Sequence, residues 1–412
     1  MDFYVGEVFA VGFVFEFKIF CGDIADFVAV GSDADPPWAG EGHAGDLKAT
    51  FVELCRLCAR TDAEVAAGHL DHGIRSHGSR DLEADGDVHL VSDDAQSATG
   101  RWVRAQGDYN ADGGGGAPAE VNDKQWDNQK KLYKPDEGVY VAPRAPTDTW
   151  DLWHQGHMDA LFDHLIRDMV LIEGVDPDRV YLMGYSAGGD GVFQLAPRMA
   201  DRFAAASMMA GHPNETRPDG LRNLPFAIFM GGKDAAFKRN EIAAQWKTTL
   251  DDLAAKDAGG YPHEVTIYPE NGHWMDRKDA VAVPWMAKFT RNLRPARIVW
   301  LQDDVTEPRF YWLENPTPKA GQRVVAHREG QTITIDEASG GVESLRVLLD
   351  DTMLDLDKPV KVVFDGRTVF EGVVPRTAAT IARTLGDRGD PKAVFTAEVT
   401  VRLQPMQEKP GT

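Results

Sequence analysis

Between about residues 109 and 294 the chain alternates short, wholly apolar runs with stretches whose apolar residues recur every three or four positions. "GVYVAPRAP" predicts a short strand ending at Ala142-Pro143. Met158, Leu161, Phe162, Leu165, Ile166, Met169 and Val170 then share one helical face. "DPDRVYLMGYS" reads as a turn and a strand, and a helix is expected from Ala187 with Val192, Phe193 and Leu195 inward. "FAAASMMAG" and "FAIFMGG" predict two more buried strands. Ile242, Trp246, Leu250 and Leu253 mark a helix, "HEVTIYPE" a last strand, and Ala280 to Thr290 a closing helix. Strands without a polar face, interleaved with amphipathic helices, predict a mainly parallel sheet covered on both faces, the α/β class.

From about residue 295 the period drops to two. "FTAEVTVRL" puts Phe395, Ala397, Val399, Val401 and Leu403 on one side, and "VKVVFDGRTVF" carries Asp365-Gly366 between two strand runs, the composition of a two-residue hairpin turn. One helix, about Thr377 to Leu385, interrupts. Residues 1 to 108 show little sustained periodicity beyond one helix expected near Leu47 to Ala67, and "RWVRAQGDYNA" is poor strand material. The expected organisation is a divergent segment over 1–108, an α/β catalytic domain over 109–294, and a small β-rich accessory domain over 295–412. The first segment is read as divergent, or as the product of a shifted reading frame joined to an intact body.

Composition narrows the partners more than the fold. A formal net charge of -21 argues against nucleic acid and against anionic membrane surfaces. Cys21, Cys55 and Cys58 are the only cysteines and all precede residue 60, so no disulfide framework spans the chain. Cys55 and Cys58 form a CxxC on a helix-like pattern with no second pair, which reads as two half-buried thiols. The apolar opening lacks a basic start and is broken by Glu7, Glu16 and Lys18, unlike a signal peptide. No run reaches the roughly 20 apolar residues of a membrane span. A cytoplasmic location is expected, with no membrane association and no nucleic acid partner.

The candidate chemistry starts at Gly184-Tyr185-Ser186-Ala187-Gly188. A serine hydroxyl is a weak nucleophile until a base takes its proton. A strand turning sharply into a helix pushes that hydroxyl out of the sheet and aims the helix N-terminus at the same point. Such a turn crowds the positions two before and two after the serine, where glycines stand. In that arrangement an acid and then a histidine follow at later strand ends. Asp234 follows "FAIFMGG" and His273 follows "HEVTIYPE". Asp276 is a rival acid on the histidine's own loop. The Ala187 N–H is one oxyanion donor, and the glycine-rich "ADGGGGAP" offers Gly114, with Gly115 next, as the second. Asp190 is expected to face its helix N-terminus for electrostatic stabilisation, without a catalytic role.

Gly113 to Pro118, "VYVAPRAPTDTWDLW", "DPDRVYLMGYSAGGDGVFQLA", "MGGKDAAFKRN" and "GHWMDRKDA" together resemble α/β-hydrolases of the serine esterase type, bacterial esterases grouped with polyhydroxybutyrate-depolymerase-like and prolyl-oligopeptidase-like hydrolases. The resemblance runs from about residue 113 to the C-terminus. It implies an α/β-hydrolase fold with Ser186, Asp234 and His273 as a catalytic triad and the glycine loop as oxyanion loop. The chain departs from that pattern with Asp112 where a histidine is usual. Tyr185, Trp150, Trp153, His157 and Trp274 are candidate substrate walls, for a small-molecule ester and with an aryl ester or polyester in view. His154, His157 and Asp159 could be forced into a metal site, but serine chemistry needs no metal, and no cofactor is expected. A homo-oligomer is compatible with this reading. Two alternatives stay open: a peptidase or acyl-aminoacyl hydrolase, and a catalytically weak hydrolase scaffold used for binding.

Overall fold

The computed structural model describes residues 88–91 and 101–105 as backbone, and residues 118–133, 135, 138–144, 149 and 153–403 with their side chains. The three cysteines, the helix expected near Leu47 to Ala67, and Asp112, Gly114, Gly115 and Trp150 lie outside the described residues.

Seven strands form the main sheet: β1 (Val88–Val91), β2 (Arg101–Ala105), β3 (Tyr140–Pro143), β4 (Val180–Tyr185), β5 (Ala205–Met209), β6 (Phe226–Gly231) and β7 (His263–Tyr268). Their spatial order is β1-β3-β2-β4-β5-β6-β7. β1 runs antiparallel to β3, and the other neighbours are parallel. The connecting helices are α1 (Ala119–Gln129), α2 (His157–Leu171), α3 (Ala187–Arg198), α4 (Arg239–Lys256) and the short α5 (Ala282–Met286). The closing helix expected over Ala280 to Thr290 is thus shorter, being preceded by a 3₁₀ turn at Lys278–Val281.

One expectation is overturned here. "RWVRAQGDYNA" does supply a strand, and an internal one: Arg101–Ala105 lies in register with Val180–Gly184, and Trp102 and Val103 oppose Tyr140 and Val141. Arginines at 101 and 104 interrupt the apolar pattern, so the segment looks poor when read alone. Ladder partners on both sides determine its conformation, and these come from residues some 40 and 80 positions away.

The apolar runs are continuous because each strand feeds two cores. Val180 and Leu182 of β4 join Phe162, Ile166, Phe193, Trp246 and Leu250 from α2, α3 and α4. Tyr181, Met183 and Tyr185 point the other way and pack with Tyr133, Met275 and Met286. At roughly 1.5–3 kcal/mol per fully buried large side chain, this two-sided burial is the main force holding β4 in place. The sheet therefore fixes the level at which the β4–α3 turn emerges.

Beyond residue 295 the chain forms two further sheets. β8 (Arg297–Leu301), β11 (Arg323–Glu329), β12 (Thr332–Ser339), β14 (Val360–Phe364) and β15 (Arg367–Gly372) make one, in the order β15-β14-β12-β11-β8. β9 (Arg309–Phe310), β10 (Leu313–Glu314), β13 (Ser344–Leu349) and β16 (Ala397–Arg402) make the other, in the order β16-β13-β10-β9. Asp365 and Gly366 both take positive φ, 51° and 70°, as a two-residue hairpin turn requires. The helix α6 (Ala378–Arg388) is capped by Thr377, whose side chain accepts from the Thr380 N–H. Phe395, Ala397, Val399, Val401 and Leu403 are all buried. Ile298, Trp300 and Phe310 belong to the same apolar cluster as Phe162 and Leu221, so this β-rich part shares a core with the α/β body. Among the described residues, no helix is long and apolar enough to cross a membrane.

Candidate active site

Ser186 occupies the turn between β4 and α3 with φ 56° and ψ -123°. A side-chain-bearing residue held there carries a cost on the order of 1–3 kcal/mol, sustained only where the surroundings leave no alternative. Its N–H donates to the Met209 carbonyl of β5 at 2.9 Å, which fastens the turn to the neighbouring strand. The turn is tight enough that a Cβ on Gly184 would sit 2.0 Å from the Gly188 carbonyl oxygen. That contact is the physical reason for glycine two residues before the serine. Ala187 is the first helical residue, so its N–H belongs to the group without an acceptor inside the helix, at the positive end of the α3 dipole.

Asp234 and His273 come from two loops that are built against each other. Beyond β6, the N–H groups of Gly232 and Lys233 donate to the carbonyls of Tyr268 and Asn271 at 2.7 and 2.8 Å. A Cβ on Gly231 would lie 1.9 Å from the Gly272 carbonyl oxygen, so the acid's strand end and the histidine's loop meet backbone to backbone. The result is a continuous polar chain. His273 Nδ1 is 2.6 Å from Asp234 Oδ2, and His273 Nε2 is 3.0 Å from Ser186 Oγ. Asp234 is 3% exposed and Ser186 4%. Arg239 lies at 3.7 Å from the second Asp234 oxygen. No local pattern marked Arg239, because its relation to the acid depends on how α4 leaves its loop.

The rival acid is engaged elsewhere. Asp276 Oδ2 accepts from Asn271 Nδ2 at 2.9 Å, while Lys278 Nζ donates to Asn271 Oδ1 at 2.7 Å, so Asp276 braces the histidine's loop instead of touching the imidazole. Asp190 also differs from expectation. It lies in the first turn of α3, but its carboxylate accepts the His212 N–H at 2.6 Å and ties down the loop after β5. Burial pushes the Asp190 carboxyl up to about 7, against the lowering effects of the His212 N–H and Arg239.

Among the candidate walls, Trp153 is fully buried: its Cβ would be 2.5 Å from a Cβ on Gly191, and its ring is 6.0 Å from that of Phe162. It packs α3 against α2 and lines no pocket. Tyr185 is buried as well, and its hydroxyl donates to the main-chain carbonyl of His273 and accepts from the Met275 N–H at 3.3 Å. It is a support for the histidine's loop, a role its place beside the serine did not reveal. His157 is exposed at the start of α2, and Trp274 is exposed beside His273.

Comparisons with known proteins agree with this geometry. Residues 132–287 match the family model described as the dienelactone hydrolase family, a span that includes Ser186, Asp234 and His273. Comparison with curated protein sequences gave no match. Among solved structures, the chain is similar to a carboxylesterase from Mesorhizobium loti, at 17% identity over 51% of this chain and 99% of that one, with a TM-score of 0.37. It is similar also to the Bacillus cereus carboxylesterase, at 12% identity over 49% and 94% with a TM-score of 0.35. A third similarity is to a phospholipase/carboxylesterase from Dyadobacter fermentans, at 16% over 52% and 99% with a TM-score of 0.34. The family match bears out the resemblance to α/β-hydrolase esterases drawn from the motifs, and it supports a hydrolase acting on carboxylic esters.

Proposed function

We propose that the protein hydrolyses carboxylic esters through an acyl-enzyme, with Ser186 as nucleophile, His273 as general base and then acid, and Asp234 as the carboxylate that orients the imidazole. The observation that carries the reading is the unbroken Asp234–His273–Ser186 chain, at 2.6 and 3.0 Å, ending on a strained strand-to-helix turn. With Nδ1–H directed at Asp234, the Nε2 lone pair faces the Ser186 hydroxyl. As Oγ attacks the carbonyl carbon, its proton passes to Nε2, and the imidazolium is held by the buried carboxylate. Collapse of the tetrahedral intermediate releases the alcohol, which takes that proton. Water then repeats the sequence on the acyl-serine.

Negative charge develops on the former carbonyl oxygen, and donors aimed at it are each worth about 3–4 kcal/mol. We assign one donor to the Ala187 N–H at the head of α3. Gly114, with Gly115 next, supplies the second in this proposal, on the strength of the sequence alone. The partner is then a small-molecule ester, and the β-rich region from about residue 295 is taken as an accessory domain to a body over 109–294.

The test is covalent labelling with a fluorophosphonate, read by peptide mass, together with hydrolysis of p-nitrophenyl acetate. Ser186 should carry the adduct, and Ser186→Ala should lower kcat by about 10⁴-fold or more while leaving the unfolding midpoint nearly unchanged. Folded protein that forms no adduct would instead favour a binding scaffold. Faster turnover of aminoacyl amides than of matched esters would make it a peptidase.

A further inference from the structure

Beside the proposed base stands an aromatic side chain that the fold does not need. Trp274 directly follows His273 and is 40% exposed. Single exposed apolar residues are ordinary on protein surfaces; what distinguishes this one is how it is held. The Tyr185 hydroxyl is bonded both to the His273 carbonyl and to the Met275 N–H, so the main chain on either side of Trp274 is tied to one buried oxygen. Met275 is fully buried and anchors the segment from below. The Trp274 ring leans on the Tyr185 ring with centroids 5.8 Å apart at 50°, and the same phenol meets the His273 imidazole edge-on at 5.9 Å. A large flat surface is thus presented to solvent on a pinned backbone, next to the group that moves the proton. An aromatic surface already ordered in this way binds a flat partner with little further loss of freedom.

The chemistry of the step says which part of a substrate reaches it. When the acyl carbon–oxygen bond of the ester breaks, the acyl group stays on Ser186 Oγ, and the departing alkoxide oxygen takes its proton from His273 Nε2. That oxygen must lie on the imidazole side, and its substituent extends toward the residue that follows. Resting on the triad reading above, we propose that Trp274 forms the leaving-group subsite and makes the enzyme selective for esters of alcohols carrying a flat aromatic group, such as benzyl or other arylalkyl esters.

The experiment holds the acyl group constant. With methyl, cyclohexylmethyl and benzyl acetate the deacylation step is common, so differences in kcat/KM report the leaving-group side. Trp274→Ala should lower kcat/KM for benzyl acetate about tenfold and change methyl acetate less than about twofold, with cyclohexylmethyl acetate between them. Trp274→Phe, which keeps a flat ring, should stay within about threefold of the native enzyme on benzyl acetate. Methyl phenylacetate, which carries its ring on the acyl side, should be unaffected. An equal loss on all three acetates would mean a structural role, and a loss confined to methyl phenylacetate would place Trp274 on the acyl side; either result overturns the proposal. Fluorophosphonate labelling of each variant runs alongside. Ser186 labelled as in the native protein, with an unchanged benzyl-to-methyl ratio in Trp274→Ala, overturns the subsite alone. No labelling, with Ser186→Ala as active as the native chain, overturns the triad and the subsite together.

Discussion

At the scale of single residues, the site depends on two kinds of constraint that differ in how visible they are. Gly184 is the visible kind. Any side chain there meets the Gly188 carbonyl oxygen at 2.0 Å, backbone against backbone, with nothing flexible to give way. Gly184→Ala should therefore open the β4–α3 turn, abolish Ser186 labelling and lower the unfolding midpoint, with a cost of several kcal/mol measured by denaturant titration. Asp190 is the hidden kind. Its carboxyl rises from 3.8 to about 7 through burial, so the folded chain binds a proton that the unfolded chain has already released across that window. A raised acid contributes stability that is full below about pH 4 and is lost as pH climbs through about 7. Asp190→Asn is neutral at every pH and can still accept the His212 N–H. Its stability should match the native chain near pH 4 and exceed it at pH 8, by up to roughly 4 kcal/mol on the conversion of about 1.4 kcal/mol per pKa unit. Denaturation curves at pH 5, 6, 7 and 8 should show the gap widening. A constant gap would remove burial of the charge as its cause.

At the scale of elements, strands and helices with a strong local period are legible in the sequence, and elements that depend on distant partners are not. β4, β5, β6 and α2 appear where the pattern put them, because buried strands and one-sided helices leave a direct imprint. β2 was missed, since its conformation is imposed by β3 and β4 on either side. The loops after β6 and β7 show the same division. Their strand ends were legible, but their main-chain contact, which sets the distance from Asp234 to His273, was not. Gly231 is where that contact is closest, with a Cβ position 1.9 Å from the Gly272 oxygen. Gly231→Ala should push the histidine's loop away and lower kcat by about 100-fold or more, since displacements near 1 Å are costly in catalysis. Circular dichroism should stay near native, because the strands remain paired. Unchanged kcat would mean that the loops adjust independently.

At the scale of the whole molecule, the β-rich part is fastened to the α/β body by buried charge as well as by the shared apolar core. Arg291 reaches Asp390 at 2.7 Å and Asp178 at 3.0 Å, Arg388 reaches Asp201 at 2.9 Å, and Arg202, buried at 1% exposure, reaches Asp163 at 2.7 Å. Asp390 is as deeply buried; burial raises its carboxyl, and Arg291 and Arg202 outweigh that and hold it below its usual range. Asp390→Ala strands two buried guanidinium groups and should cost about 3–5 kcal/mol, read from the denaturation midpoint. A loss under 1 kcal/mol would show that the shared core alone joins the two parts. None of these pairs was legible beforehand, since their members are separated by up to about 200 positions.

What the sequence by itself determined is what leaves a local imprint. The α/β alternation, the change of period near residue 295, the glycines around Ser186 and the placing of a carboxylate and an imidazole after successive strands all follow from short-range sterics and from burial of adjacent side chains. What only the tertiary structure decided is what depends on contacts between segments far apart. Asp234 reaches the imidazole while Asp276 braces the loop, Tyr185 supports that loop from beneath, Trp153 enters the core, and β2 joins the sheet. The energies of those contacts are set by packing geometry at ångström scale, which a linear pattern of residue types does not encode.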